Sequence, residues 1–202
     1  MFVSFEGIEA SGKSTLLAAV EVALRAQGRN TLRTREPGGT PAGDAMRRVF
    51  LDPMFVLEPI SEVLLVNASR AELVQRVITP ALSAGVIVLC DRYVHSTLAY
   101  QGYGRGLPLS TVRMLCEAAT GGLMPNITLL VDVSFQTSRR RIAARAHVED
   151  RLELESSDFH DRVRRGFLQM STLDSRIVVI DGEQSVDRVF EAAMQALGAR
   201  LP

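Results

Sequence analysis

The stretch Met1-Phe-Val-Ser-Phe-Glu-Gly-Ile-Glu-Ala-Ser-Gly-Lys-Ser-Thr15 decides how this chain folds. Its first five residues form an apolar run suited to a buried strand, and the run after it, Thr15 to Leu24, carries helical apolar spacing. Between them, Gly7-Ile-Glu-Ala-Ser-Gly-Lys-Ser14 has the form Gly, four residues, Gly-Lys-Ser, the phosphate-binding P-loop pattern. The chemistry requires that order. Loop and helix N-terminal N–H groups, from Gly7, Ile8, Glu9, Ala10, Ser11, Gly12 and on to Thr15, surround phosphate oxygens, and the helix dipole favours their charge. Lys13 then reaches the outer phosphates of a nucleoside triphosphate, and the Ser14 hydroxyl ligates Mg²⁺.

Working outward, apolar runs alternate with helical stretches. Strands are expected at Phe2–Glu6, Thr31–Arg35, Val86–Cys90, Ile127–Val131 and Arg176–Ile180. Helices are expected at Lys13–Gln27, Pro41–Leu51, Ser61–Ser83, Leu109–Thr120, Phe135–Ala146, Ser156–Leu173 and Ser185–Leu197. Such alternation implies βαβ units, hence a five-stranded parallel sheet between helical layers. The expected architecture is a three-layer α/β/α P-loop NTPase fold over 1–202 as one domain. The Ser61–Ser83 helix is apolar on more than one stripe, which suits burial against the sheet and equally a face against a second subunit.

Bulk properties exclude several functions. The 202 residues carry zero formal net charge, which argues against generic nucleic-acid binding. The start runs straight into a strand without a signal peptide, and no run is long enough to span a bilayer, so a cytoplasmic protein is expected. Cys90 and Cys116 read as buried free thiols, and the three histidines have no metal-ligand spacing, His95 reading as a surface residue.

Further motifs gather at the expected C-terminal edge of the sheet, where open α/β folds bind ligands. Asp91 ends the third strand and suits Mg²⁺, with Arg92 emerging beside it toward phosphate. Thr34-Arg-Glu-Pro-Gly-Gly-Thr40 follows the second strand, and its Arg35 can grip phosphate in bidentate fashion. Ser96, Thr97, Tyr100 and Gln101 offer hydrogen-bonding groups to a base or sugar. Arg139, Arg140, Arg141, Arg145 and Arg151 form a basic segment suited to closing over phosphates as a lid at about 141–153.

Together these stretches resemble the bacterial thymidylate kinase family over essentially the whole chain. The carriers are Phe5–Ser14, Thr34–Thr40, Asp91-Arg-Tyr93, Ala99-Tyr-Gln101 and Asp150-Arg-Leu-Glu153. The resemblance implies ATP-dependent phosphorylation of dTMP to dTDP with Mg²⁺, by a homodimer that binds neither nucleic acid nor membrane. It implies catalytic roles for Lys13, Arg92, Arg145, Arg151 and Glu9, the last near the acceptor sugar and phosphate. It implies acceptor contacts by Arg35, Arg70, Val66, Arg92, Ser96, Thr97, Tyr100 and Gln101, and metal contacts by Ser14 and Asp91. The loop carries no arginine, which resembles the branch of the family whose transition-state arginine comes from the lid. Where the family usually stacks a Phe on thymine, this chain has Val66, which leaves another deoxypyrimidine monophosphate such as dUMP as an alternative acceptor, unless Phe55 or another ring fills the gap. Ala10 replaces the usual glycine and is expected to require negative φ. The stretch Asp181–Ser185 is expected to lie near adenine. A P-loop switch is the alternative of another class, but no Asn here precedes a Lys as guanine reading would need.

Overall fold

The structure, a computed structural model, describes residues 1–144 and 149–200. Five strands form one sheet: β1 (Phe2–Glu6), β2 (Thr31–Arg35), β3 (Ile87–Asp91), β4 (Ile127–Asp132) and β5 (Ile177–Asp181). They pair in parallel in the order β2-β3-β1-β4-β5. Around them run α1 (Lys13–Ala26), α2 (Pro41–Leu51), α3 (Pro59–Leu73), α4 (Thr79–Ser83), α5 (Val94–Thr97), α6 (Leu109–Thr120), α7 (Phe135–Ala143), α8 (Ser157–Leu173) and α9 (Val186–Gly198). The P-loop fold expected from the opening stretch is the one observed.

The pleat of β1 explains the layering. Val3 and Phe5 point into a core completed by Leu16, Leu17 and Val20 of α1 and Leu197 of α9. Phe2 points the other way, into a core built from α3, α6 and α8 with Val63, Val112 and Phe167. Each such large side chain stabilises the fold by roughly 1.5–3 kcal/mol on burial. Ser4 and Glu6 share the Phe2 side by the same alternation. Ser4 Oγ lies 2.7 Å from Thr128 Oγ1 on the neighbouring strand. Thr128 Oγ1 in turn lies 3.2 Å from Nδ1 of His95, which is buried rather than on the surface. Burial takes the His95 pKa down to about 4, offset in part by Asp174.

Two segments depart from expectation. The long helix expected to end at Ser83 is not regular throughout: Val74–Ile78 form a π turn joining α3 to α4. Pro80 follows it, and a proline has no N–H for the helical ladder and crowds the carbonyl four residues back, so a widened turn just upstream relieves both. The second is Val94–Gly104, absent from the expected helices, which is helical with a π turn over Leu98–Gly104 that contains Tyr100 and Gln101. Gly102 and Gly104 mask this helix in the sequence; an added Cβ would sit 2.5 Å from Leu109 Cδ2 at the first and 2.7 Å from Phe159 Cε2 at the second, so neighbouring side chains pack close to the backbone there. Cys90 and Cys116 are free and buried, as expected.

Candidate active site

The C-terminal ends of β1, β2 and β3 open into one cleft. The loop after β1 wraps its floor. A Cβ at Gly7 would fall 2.4 Å from the carbonyl oxygen of Val131, so only glycine lets the loop leave the sheet there. Ala10 contradicts its expected conformation: its φ is +52°. The strain of a left-handed alanine, about 1–2 kcal/mol, is held by bracing from α7. Ser138 Oγ donates to the Glu9 carbonyl at 2.7 Å, and Arg141 Nη1 donates to the Ser11 carbonyl at 2.9 Å and the Ala10 carbonyl at 3.3 Å. Arg141, read from the sequence as part of a basic lid, thus supports the P-loop itself. Its Nη2 also ties the Gly182 carbonyl, bringing the Asp181–Ser185 stretch beside the loop.

Lys13 is buried beneath the loop, its Nζ 3.3 Å from the Ile8 carbonyl. Burial and the nearby Arg92 lower its pKa to about 8, while Asp91 and Glu9 pull the other way. Ser14 Oγ donates to Asp91 Oδ2 at 2.5 Å. No cluster of three or more His, Cys, Asp or Glu suited to a metal occurs among the described residues. One serine oxygen and one carboxylate at a phosphate loop are nevertheless what a magnesium ion takes, since it draws its remaining ligands from phosphate and water.

The opposite wall is basic. Arg35, Arg47 and Arg92 all line the cleft. Arg35 is exposed and pairs with Asp44 at 3.3 Å. Arg47, which the sequence reading missed, donates to the Pro37 carbonyl at 3.0 Å. Burial lowers the Arg47 pKa, as do Arg35 and Arg92 nearby, the signature of cations gathered without enough anions. Arg92 sits at φ +71° on the strand exit. Buried Glu6 holds that strained turn, accepting from the Tyr93 N–H at 2.8 Å and from Ser96 Oγ at 2.5 Å. Arg92 donates to Glu9 Oε1 and to Ser96 Oγ, at 3.0 and 3.1 Å, and its guanidinium lies over the Tyr100 ring. Tyr100 also donates to Glu9 Oε1, at 2.6 Å. Burial would raise the Glu9 pKa, but His160, Arg92 and Lys13 hold it well below the usual carboxylate range.

The deep end of the cleft is lined by Val66, Arg70, Thr97 and Gln101. Arg70 is buried, donating to Glu36 through Nη2 at 2.6 Å, to Thr97 Oγ1 at 2.8 Å and to Asn67 Oδ1 at 2.8 Å. Phe50 also lines this cleft, whereas Phe55 lies in a separate groove beside Leu154.

The cleft therefore gathers Glu9, Ala10, Lys13, Ser14, Arg35, Val66, Arg70, Asp91, Arg92, Ser96, Thr97, Tyr100 and Gln101. Thr15 lies in the first turn of α1 and is exposed. Arg151 lies elsewhere: its Nε donates to the Phe50 carbonyl, its Nη1 to buried Glu62, and its guanidinium covers the outer groove. Arg145 lies outside the described residues. Glu6, Glu36, Arg47, Glu62 and His160 carry the site yet were not singled out from sequence. The one available signal was a carboxylate inside an otherwise apolar run, Glu6 in β1 and Glu62 in α3, where burial demands a partner.

A sequence profile of the family described as thymidylate kinase matches residues 5–193. The chain is 46% identical to a thymidylate kinase of Deinococcus radiodurans, over 99% of this chain and 97% of that one. It is 44% identical to a thymidylate kinase of Kosmotoga olearia, over 96% and 94%. The crystal structure of thymidylate kinase from Ehrlichia chaffeensis superposes with a TM-score of 0.79 at 32% identity, covering 98% of each chain. With its fold, its phosphate loop and near full-length kinship in agreement, this chain belongs to the thymidylate kinase family.

Proposed function

We propose that the cleft transfers the γ-phosphoryl of ATP to the phosphate of dTMP, with the two nucleotides entering from opposite sides of Lys13. The chain is a nucleotide kinase that forms dTDP from dTMP. The observation that carries the division of labour is a P-loop floor with Ser14 and Asp91 facing a wall of Arg35, Arg47 and Arg92 across one cleft.

Phosphoryl transfer asks for positioning and charge neutralisation rather than covalent chemistry. The loop N–H groups and Lys13 hold the donor phosphates. Arg35, Arg47 and Arg92 hold the acceptor phosphate in line, and Glu9 fixes Arg92 while facing the acceptor. Arg70, Thr97 and Gln101 read the base, with Val66 against its face. Ser14 and Asp91 would hold Mg²⁺, which neutralises phosphate charge when bound. Arg145 is assigned the charge on the transferring group; Arg151 joins it only by leaving Glu62. The Asp181–Ser185 stretch borders the donor side.

A homodimer is supported by Ile60 and Leu64 on α3 and Met114 on α6, large apolar residues 44%, 50% and 61% exposed. Among the described residues no helix is long and apolar enough to cross a membrane. Two buried, unpaired cysteines suit a reducing, cytoplasmic setting.

The test is product analysis with ATP and dTMP, dUMP, dCMP or UMP in turn, beside Lys13→Ala and Arg92→Ala. The expected result is preference for dTMP and loss of turnover by orders of magnitude in both variants with folding intact. Near-normal turnover in either variant would sink the assignment.

A further inference from the structure

Behind Glu9, on the side away from the cleft, lies His160 of α8. It is 2% exposed, does not line the cleft, and among the described residues no hydrogen bond satisfies either ring nitrogen. Its ring stacks on Phe135 at 5.3 Å between centroids and meets the Phe159 edge at 5.6 Å. Those two rings fix its plane and aim Nδ1 at Glu9 Oε2, 3.4 Å away. Glu9 Oε2 is itself buried and unpaired, while Oε1 accepts from both Arg92 and Tyr100. Buried polar groups without partners are costly, and here the two face each other.

We propose that His160 is a positioning residue for Glu9: its Nδ1–H holds Oε2 from behind, so that Oε1 stays turned toward Arg92 and Tyr100 at the acceptor. The proposal rests on the reading of Glu9 and Arg92 as acceptor-side groups. It needs the Nδ1–H tautomer and a closure of a few tenths of an ångström, which tightening around bound nucleotide supplies. Losing one hydrogen bond to a charged group is worth about tenfold or somewhat more. The loss falls on acceptor binding, because Nδ1 faces Glu9 Oε2 and the other oxygen of that carboxylate holds Arg92 and Tyr100.

The experiment is steady-state kinetics with dTMP and ATP varied separately, on His160→Phe, His160→Asn, His160→Gln and Glu9→Gln, with thermal unfolding run alongside. His160→Phe keeps the stack and removes the donor: KM for dTMP is expected to rise about tenfold with KM for ATP changed less than twofold. His160→Asn places an amide N–H near Nδ1 and is expected to recover most of that loss. His160→Gln places its amide near Nε2 and is not. In a Glu9→Gln background His160→Phe is expected to add little. Equal acceptor KM in the Asn and Gln variants, or equal rises for both nucleotides in the Phe variant, would overturn the proposal; the Asn–Gln comparison decides it even if the Phe variant does not fold. If Glu9→Gln alone leaves KM for dTMP unchanged, the acceptor-side reading of Glu9 fails, and the role of His160 fails with it.

Discussion

Arg70 and Glu36 form an ion pair with both side chains sealed from solvent, Nη2 to Oε2 at 2.6 Å and Nε to the same oxygen at 2.8 Å, with 1% and 2% of the side chains exposed. Burial alone would lower the Arg70 pKa, but Glu36 reverses this and holds it above its ordinary value. The pair fixes a guanidinium at the deep end of the cleft, where a mobile arginine would select nothing. Removing one member of such a pair leaves an uncompensated buried charge. Glu36→Ala is expected to lose about 3–5 kcal/mol of stability in urea unfolding. A loss under about 1 kcal/mol, in the range of exposed pairs, would show that water or another group takes over Glu36's place.

Glu6 carries a testable pH signature. It is sealed beneath Arg92, and burial pushes its pKa from 4.5 up to about 7, with Ser96 and Arg92 opposing the shift. The folded state then retains a proton that the unfolded chain has released between pH 4.5 and 7. Stability from this group therefore falls as pH rises through that window, by roughly 3 kcal/mol at most. Glu6→Gln lacks the titration, so wild-type stability minus variant stability is expected to decline from pH 4.5 to 7 and stay flat above. A flat difference across the whole range would refute a raised Glu6 pKa.

The same residue marks the limit of what sequence conveys. The order strand, Gly-rich loop, helix at Phe2–Ala26 was legible because phosphate binding ties residue type to position at fixed spacing. The inner strands β1, β3 and β4 were legible because parallel strands buried on both faces read as short apolar runs. Arg92 and Asp91 were legible because strand ends face the cleft. Glu6, Glu62 and His160 were not, since their importance lies in partners 90, 43 and 151 residues away in sequence, Ser96, Arg105 and Glu9. The apolar runs around Glu6 and Glu62 signal burial but not the partner, and in the polar helix around His160 nothing local signals even burial. The helix holding Tyr100 and Gln101 was hidden by Gly102 and Gly104, whose tertiary reason is close approach by Leu109 and Phe159. Ala10 failed a sound local rule because Arg141 and Ser138 override backbone preference.

Val66 lies in the cleft four residues before Arg70, where the family resemblance implied a stacking ring. Phe50, also in the cleft, carries Arg151 over its ring at 5.1 Å, which commits one of its surfaces elsewhere. A valine offers the base apolar contact without stacking, and stacking is worth about 1–3 kcal/mol per base. Val66→Phe is expected to lower KM for dTMP about tenfold, with a smaller change in kcat. An unchanged KM would mean that Phe50 already supplies the face the base needs.

Glu62 is the hub that holds Arg105 and Arg151 against α3. It is fully buried on α3, accepting from Gln101 at 3.0 Å, from Arg105 at 2.9 Å and from Arg151. Arg105 reaches on to Glu155 at 2.6 Å, so one carboxylate ties the acceptor wall to residues on both sides of Leu152 and Glu153. Burial would raise its pKa, but Arg105, Arg151 and Gln101 hold it below 4.5. Because the folded pKa lies below the unfolded one, the stabilisation is fully present above pH 4.5 and is lost as pH falls through the lower folded value. Glu62→Gln is expected to cost about 3–5 kcal/mol at pH 7. The deficit should shrink in acid, where wild-type Glu62 also becomes neutral. Equilibrium unfolding at pH 7 and pH 3 checks both parts, and a deficit of the same size at both would mean that packing rather than charge holds Arg105 and Arg151 to α3.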